Sequence, residues 1–339
     1  MEPAMKVGVR DISRKTGFSP ATVSNALNRK RGVSKQTAEI ILKAARDMGY
    51  QRQGHLNRIQ FVIARKSGRI IDESAFHPVV ITGIEREAKR HNLPTTYVTV
   101  NLPDPSAKNQ IREMCSDPTG AIILLGTEMW EKDYQPFYDS VAPFVIVDGW
   151  CSHRFMDSIV ISNETSAYRA VNYLISKGHK KIGYLHGNPQ IRNFPLRYRG
   201  FKTAMREATL PIDERFQTSL GTTLSTALAD MDAWLNDGPE LPTAFFADND
   251  VLAVGAMQAL AKHNIHVPEE VSLIGFDDLS FASISSPPLT TICVPKQAIG
   301  ELAVRRVIEQ TQGNTDYTCV THVSTTFIER DSVAEYQQR

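Results

Sequence analysis

From Ile59 onward the chain alternates short, nearly uninterrupted apolar runs with longer amphipathic stretches, and few folds accommodate that pattern. The runs are residues 61–64 (FVIA), 96–100 (TYVTV), 121–125 (AIILL), 144–147 (FVIV), 159–161 (IVI), 181–185 (KIGYL), 243–246 (TAFF) and 271–275 (VSLIG). They are too short for helices, and the spacing predicts helices near 78–91, 105–116, 164–177, 197–209, 223–236, 249–264 and 296–312. Strands that are apolar on both faces and alternate with helices form parallel sheets covered on both sides. The stretch is too long for one small sheet, so the expected fold class is α/β with two doubly wound lobes. Ligands of such folds sit at the carboxyl ends of the strands or in a cleft between lobes.

Residues 1–50 are different: they contain only helical patterns. The formal net charge of the whole chain is +1, but residues 1–60 hold 12 Lys and Arg against 4 Asp and Glu, and the remainder holds 26 against 33. A basic head on an acidic body is the asymmetry of a nucleic-acid reader fused to a different module. One helix is expected over Val9–Lys15, stopped at Gly17. A second starts at Ser19, a good N-cap, with Pro20 in the first helical position and its end at Asn28. A third runs from Ser34 to Met48. Two helices joined by a tight glycine turn, with a third behind them, make a helix-turn-helix. Val9, Ile12, Val23, Leu27, Ile40, Ile41, Ala44 and Ala45 would form its core. Ser19, Pro20, Ala21, Thr22, Ser24 and Asn25 then lie on or near the outer face of the second helix. Asn pairs bidentately with adenine, and Ser and Thr hydroxyls hold phosphate. Arg29, Lys30 and Arg31 follow as a source of backbone charge. A solvated basic three-helix bundle with no DNA role is the competing reading.

Several classes are disfavoured. No apolar run reaches the roughly 18 residues of a membrane span, and the first thirty residues lack the apolar segment of a secretory signal, so a cytoplasmic location is expected. Cys115, Cys151, Cys293 and Cys319 lie far apart, so no metal site and no disulfide is expected. No P-loop, G-x-G-x-x-G, G-x-S-x-G or H-E-x-x-H is present. Neither a cofactor nor an enzymatic activity is expected.

The run from Val9 to Asn28, VRDISRKTGFSPATVSNALN, resembles the DNA-binding head of the lac repressor family in its pattern D-I-x-x-x-x-G-x-S-x-x-T-V-S-x-x-L-N. The resemblance continues through residues 174–183 (LISKGHKKIG), 197–201 (RYRGF), 248–255 (DNDVLAVG), 271–278 (VSLIGFDD), 288–292 (PLTTI) and 329–332 (ERDS). It implies that Pro20, Ala21 and Asn25 read bases. It also implies a core like that of periplasmic sugar-binding proteins, with lobe 1 at about 59–160 and 293–325 and lobe 2 at about 161–292 and 326–339. The implied protein is a homodimeric regulator, a repressor, that binds double-stranded operator DNA under control of a small effector, a sugar or sugar derivative.

Site residues can be weighed from position as well. Arg197 opens a helix after a polar loop and offers a rigid fork of donors. Asp277 follows the 271–275 strand at its carboxyl end. Asn249 follows the 243–246 strand, where it either caps a helix or contacts ligand. Phe76, His77 and Trp150 follow strand ends and either stack on a sugar ring or pack as core and hinge. Arg192 shares the loop of Arg197, and Asn163 stands where the family often has Asp. Asn keeps hydrogen-bonding capacity without charge. The other departure is the tether, residues 51–58 (QRQGHLNR), which lacks the family's hinge-helix pattern and contains Gly54. A short linker with weak DNA bending is the expectation there.

Overall fold

The computed structural model describes residues 7–27, 32–48, 56–68, 71, 75–312 and 317–336. The chain divides into two units, one containing the head helices and the other the sheets.

In the head, α1 (Val9–Thr16) ends at Gly17, whose φ of +75° suits a residue without a side chain. The Ser19 hydroxyl accepts the Thr22 N–H at 3.1 Å and so caps α2 (Pro20–Leu27). Ser34 caps α3 (Lys35–Asp47) in the same way through the Thr37 N–H at 3.1 Å. Ile12, Val23, Ala26, Leu27, Ile41 and Ala45 form the core, with Val9 packed at its edge. Ile40 and Ala44 are corrections: Ile40 is 48% exposed, and Ala44 is half-buried and stands outside the cluster. Inward positions of α3 fall at Ala38, Ile41, Leu42, Ala45 and Met48, steps of three and four that leave Ile40 on the outer flank. Asn28, Arg29, Lys30 and Arg31 lie outside the described residues, as do 51–55 of the tether.

The tether's last three residues belong to the core unit. Leu56 packs against the large hydrophobic cluster, and the Asn57 N–H donates to the Thr119 carbonyl at 2.9 Å. Arg58 already opens β1 and pairs with Asp117.

The first sheet is six-stranded and parallel, in the order β11-β5-β4-β3-β1-β2. Its strands are β1 (Arg58–Arg65), β2 (Thr95–Asn101), β3 (Gly120–Leu125), β4 (Phe144–Val147), β5 (Ser158–Ile161) and β11 (Val320–Val323). The second sheet is parallel in the order β7-β6-β8-β9, with β6 (Ile182–Asn188), β7 (Gln217–Gly221), β8 (Ala244–Ala247) and β9 (Ser272–Ile274). An antiparallel pair, β10 (Thr291–Cys293) with β12 (Thr326–Ile328), completes the set. Every residue of β3, β4, β5 and β8 is buried, the signature of strands covered on both faces.

Helices α4 (His77–Arg90), α5 (Ala107–Cys115) and α10 (Lys296–Thr311) accompany the first sheet, and α6 (Asn163–Ser176), α7 (Asn193–Glu207), α8 (Leu224–Asn236) and α9 (Asp250–Lys262) the second. Helices α4 and α10 meet backbone to backbone. A Cβ on Gly300 would lie 2.2 Å from the Val80 carbonyl oxygen, so no larger residue fits there. The chain passes between the two sheets three times: after β5, between β9 and α10, and after β11. The last passage returns the chain to β9, where the Leu273 N–H donates to the Ser332 carbonyl at 2.8 Å. Strands β7, β10, β11 and β12 are absent from the sequence reading. They are short, and β7, β11 and β12 are half exposed, so they present no continuous apolar run. Among the described residues no helix is long and apolar enough to cross a membrane.

Candidate functional site

The carboxyl ends of both parallel sheets point at one another, and the loops that follow the strands fill the space between them with polar side chains. Arg197, on the first turns of α7, is the centre. It is 3% exposed. Its Nε donates to Asn163 Oδ1 at 2.8 Å, one terminal nitrogen donates to the Asp248 carbonyl, and the other lies 3.2 Å from Asp277 Oδ1. Its guanidinium stacks 3.7 Å from the centre of the Phe276 ring. The plane of the fork fixes three partners at once, which a lysine cannot do.

The network runs on from Asn163. Its amide nitrogen donates to Asn193 Oδ1 at 3.1 Å and to the Ile161 carbonyl at 3.2 Å. Asn193 then donates to Asp148 Oδ1 at 2.8 Å. The Thr127 hydroxyl donates to the other oxygen of Asp148 at 2.7 Å, and His77 Nε2 sits 3.2 Å from Thr127 Oγ1. Since the Thr127 proton goes to Asp148, His77 Nε2 is the donor in that last bond. His77, Thr127 and Asp148 belong to the first lobe, whereas Asn193, Arg197 and Asp277 belong to the second. One chain of hydrogen bonds therefore joins the lobes.

Burial governs the charges. It pulls His77 down to about 4, against the pull of the Glu128 carboxylate, so the imidazole is neutral at pH 7. Burial raises Asp148 and Asp248 to about 6 each, although hydrogen bonds from Thr127 and Tyr184, respectively, and the charge of Arg197 resist it. Asp277 is likewise raised by burial, with Arg197 and Lys296 opposing. Asp250 is pushed up to about 8 by burial and by the neighbouring charge of Asp277. Lys296, on α10, reaches across the lobes and donates to the carbonyls of Asp277 and Asp278. Backbone conformation is strained at the same place: φ is +55° at Asp148, +105° at Asp277 and +50° at Asp278. Residues with side chains rarely adopt such values, and they persist where surrounding contacts hold them.

The other sequence-selected residues take different places. Asn249 Oδ1 accepts the Leu252 N–H at 3.1 Å, so it caps α9, while its neighbours Asp248 and Asp250 carry the buried contacts. Phe76 is 6% exposed and packs into the main apolar cluster, edge-on to His77 at 5.5 Å. Trp150 and Arg192 meet each other: the guanidinium lies 4.0 Å from the centre of the indole ring. The structure brings Asn163, Arg197, Asp277 and His77 into one network. Thr127, Asp148, Asn193, Asp248 and Lys296 join them without having been selected. Asp148 and Asp248 each directly follow an apolar strand, the same signal that singled out Asp277. Among the described residues no cluster of His, Cys, Asp and Glu is arranged to hold a metal ion.

On the head, Ser19, Pro20 and Ala21 are exposed, and Thr22, Ser24 and Asn25 are half-buried. Ser19 and Thr22 also share a hydroxyl–hydroxyl bond of 2.8 Å. The polar face of α2 is thus turned away from the head's apolar core.

Comparison with known proteins matches both units. Residues 9–53 match the model of bacterial regulatory proteins of the lacI family, and residues 171–333 match a periplasmic binding protein-like domain. The chain is 30% identical over 313 residues to the HTH-type transcriptional repressor CytR of Escherichia coli, covering 90% of each chain. It is 28% identical over 305 residues to the repressor PurR of Haemophilus influenzae, covering 89% of this chain and 90% of that one. Among solved structures, a lac repressor dimer bound to operator and an anti-inducer aligns with a TM-score of 0.71 at 21% identity, over 97% of this chain and 99% of that one. A complex of the regulator CelR with cellobiose aligns with a TM-score of 0.71 at 20% identity, over 96% and 100%. A helix-turn-helix head, two parallel-sheet lobes with a polar cleft, and relatives of this similarity along nine-tenths of the chain have one reading: the protein belongs to the lacI family of bacterial transcriptional regulators.

Proposed function

We propose that this regulator is a homodimeric repressor that binds a two-fold operator through α2, with its affinity set by a small uncharged polyol, a sugar or sugar derivative, held between the lobes. Asn25 reads a base, Pro20 and Ala21 pack at the groove floor, and Ser19, Thr22 and Ser24 hold phosphates, with Arg29, Lys30 and Arg31 adding backbone charge. Two copies place their recognition helices about one duplex turn apart. The observation that carries the reading is the buried network from His77 to Asp277. It offers guanidinium and amide donors beside carboxylate acceptors, the mixture that adjacent hydroxyls require, and it draws on both lobes. A ligand that replaces links in this chain changes how the lobes meet, and so biases the operator-binding form by a coupling of about 1–3 kcal/mol.

Arg197, Asp277, Asn163 and His77 are the proposed effector contacts, with Asp148 and Asn193 added to the set. Asn249 acts through its cap, and Phe76 supports His77 from the core side. The test is a thermal-shift screen of neutral sugars and sugar phosphates, followed by operator titration with each hit. A bound effector raises the melting temperature by mass action and shifts the operator titration. Stabilisation by a sugar that leaves operator affinity unchanged would overturn the regulatory half of the proposal. Sedimentation of the free chain at monomer mass across micromolar concentrations would overturn the dimer.

A further inference from the structure

Beyond the central network, a second set of contacts joins the lobes, and it turns on a residue that neither the family motifs nor the polyol reading uses. Glu131 follows β3 in the first lobe, in a short 3-10 segment spanning Glu131–Phe137. Its carboxylate is held by the Ser152 N–H at 3.0 and 3.1 Å and by the His153 N–H at 3.4 Å. The same carboxylate lies 2.8 Å from Arg192 of the second lobe. Arg192 also donates to the Trp150 carbonyl at 2.5 Å and to the Ser152 hydroxyl at 3.2 Å, and stacks on the Trp150 indole. The side chains are 11% and 23% exposed for Arg192 and Glu131, which shelters the pair from solvent.

We infer that Glu131 is a positioning residue: it aims Arg192 across the rim of the cleft onto Trp150, and this three-residue clasp latches the lobes closed. Each part has a physical reason. Backbone donors fix the Glu131 carboxylate before Arg192 arrives, so little freedom is lost when the pair forms. Indole is the best aromatic partner for a guanidinium. The planar fork of Arg192 satisfies Glu131, a carbonyl and a hydroxyl while its face covers Trp150, and lysine has neither the fork nor the face. Burial would raise the pKa of Glu131, but the Ser152 hydrogen bonds and the Arg192 charge hold it down at about 2, so the carboxylate stays ionised throughout the physiological range. Arg192 and Trp150 are in this view the latch and its seat, and the effector contacts lie deeper, around Arg197.

The test uses the full chain with Trp130→Phe and Trp234→Phe, which leaves Trp150 as the reporter. Acrylamide quenching of Trp150 is measured in the parent, E131Q, R192M and the double variant. In E131Q, where Arg192 is intact, its loss from the indole reports opening of the rim, because Arg192 comes from the opposite lobe. Each single variant is expected to raise the quenching rate at least about two-fold, and the double variant to match the singles, as for residues acting through one interaction. Parental quenching in E131Q with raised quenching in R192M would overturn the positioning role. Single effects that multiply in the double, or parental quenching in R192M, would overturn the latch. Circular dichroism and a cooperative melt establish that each variant is folded. E131D with R192K closes the same cycle if a neutral side chain at either position unfolds the chain. The experiment needs no effector, so its outcome is independent of the polyol proposal.

Discussion

The head and the cleft put polar residues to opposite uses. In the head a small apolar core of Ile12, Val23, Ala26, Leu27, Ile41 and Ala45 carries the fold, and the polar residues of α2 face outward. Among the described residues, Asn25 is half-buried and stands outside the apolar core cluster. In the cleft the polar residues are themselves the interior: Asp277, Arg197, Asn163, Asn193 and Asp148 are all buried, and each holds the next. Recognition and stability are therefore separable in the head and inseparable in the cleft. A reading face can change with little cost to the fold, whereas a cleft residue cannot change without disturbing both lobes.

Arg197→Ala is the strongest challenge to this contrast. It strips Asp277 of its guanidinium partner, and Asp148 and Asp248 of a nearby positive charge. Removing one partner of a buried ion pair costs about 3–5 kcal/mol. Scanning calorimetry of the full chain should show a large fall in the core transition, together with loss of any stabilisation by sugar. A core that melts like the parent would mean that Arg197 is a replaceable ligand contact rather than part of the structure.

Asn25→Ala is its counterpart in the head. It should weaken specific operator binding by about 1–3 kcal/mol, relax discrimination at one base position, and leave the melting curve unchanged. The measurement is a competition titration against single-base operator variants. Equal loss on every variant, or a lowered melting temperature, would erase the contrast from the other side.

This division also explains what the sequence discloses. The head was legible because its signals are local: Gly17 stops a helix, Ser19 and Ser34 start two more, and spacings of three and four residues mark the core. The two misplaced core residues, Ile40 and Ala44, each sit beside a true one, Ile41 and Ala45, where hydrophobicity alone does not choose between neighbours. Parallel strands such as β3 and β4 were legible because full burial makes them apolar throughout. The cleft was half legible. Arg197 opens a helix inside a recognisable motif and Asp277 stands at a strand end, as do Asp148 and Asp248. The pairing of Arg192 with Glu131 and Trp150 was not legible at all. Those residues are distant in the chain, obey no periodicity, and meet only because two sheets face each other. Asn249 shows the converse. Its position signalled both a cap and a contact, and local geometry fills the cap.

Protons give a subtler comparison, because among the described residues the head has no buried carboxylate and the second lobe has several. Asp250 accepts from the Thr291 hydroxyl and from the Leu279 N–H at 2.7 Å, buried beside Asp277. Its pKa is about 8 in the fold, against an ordinary value near 3.8. The folded chain thus holds a proton that the unfolded chain releases, and stability falls as pH rises from about 4 to about 8. Asp250→Asn removes that part of the dependence. The melting temperature of the variant relative to the parent should move in the variant's favour between pH 5 and pH 8. A constant difference across that range would show that Asp250 is ionised in the fold.

The smallest effect returns to the head, at the residue where its two roles touch. Ser19 caps α2 and is also proposed to hold a phosphate. Replacing a Ser cap by Ala costs about 0.5–2 kcal/mol, so Ser19→Ala should lower head stability modestly, as measured by hydrogen exchange of the α2 amides. Asp at this position caps a helix about as well as Ser, yet its charge repels a phosphate. Ser19→Asp should therefore keep the exchange protection of the parent while weakening binding to every DNA sequence alike. If it binds DNA as the parent does, Ser19 is a cap and nothing more, and the separation between fold and recognition in the head is complete.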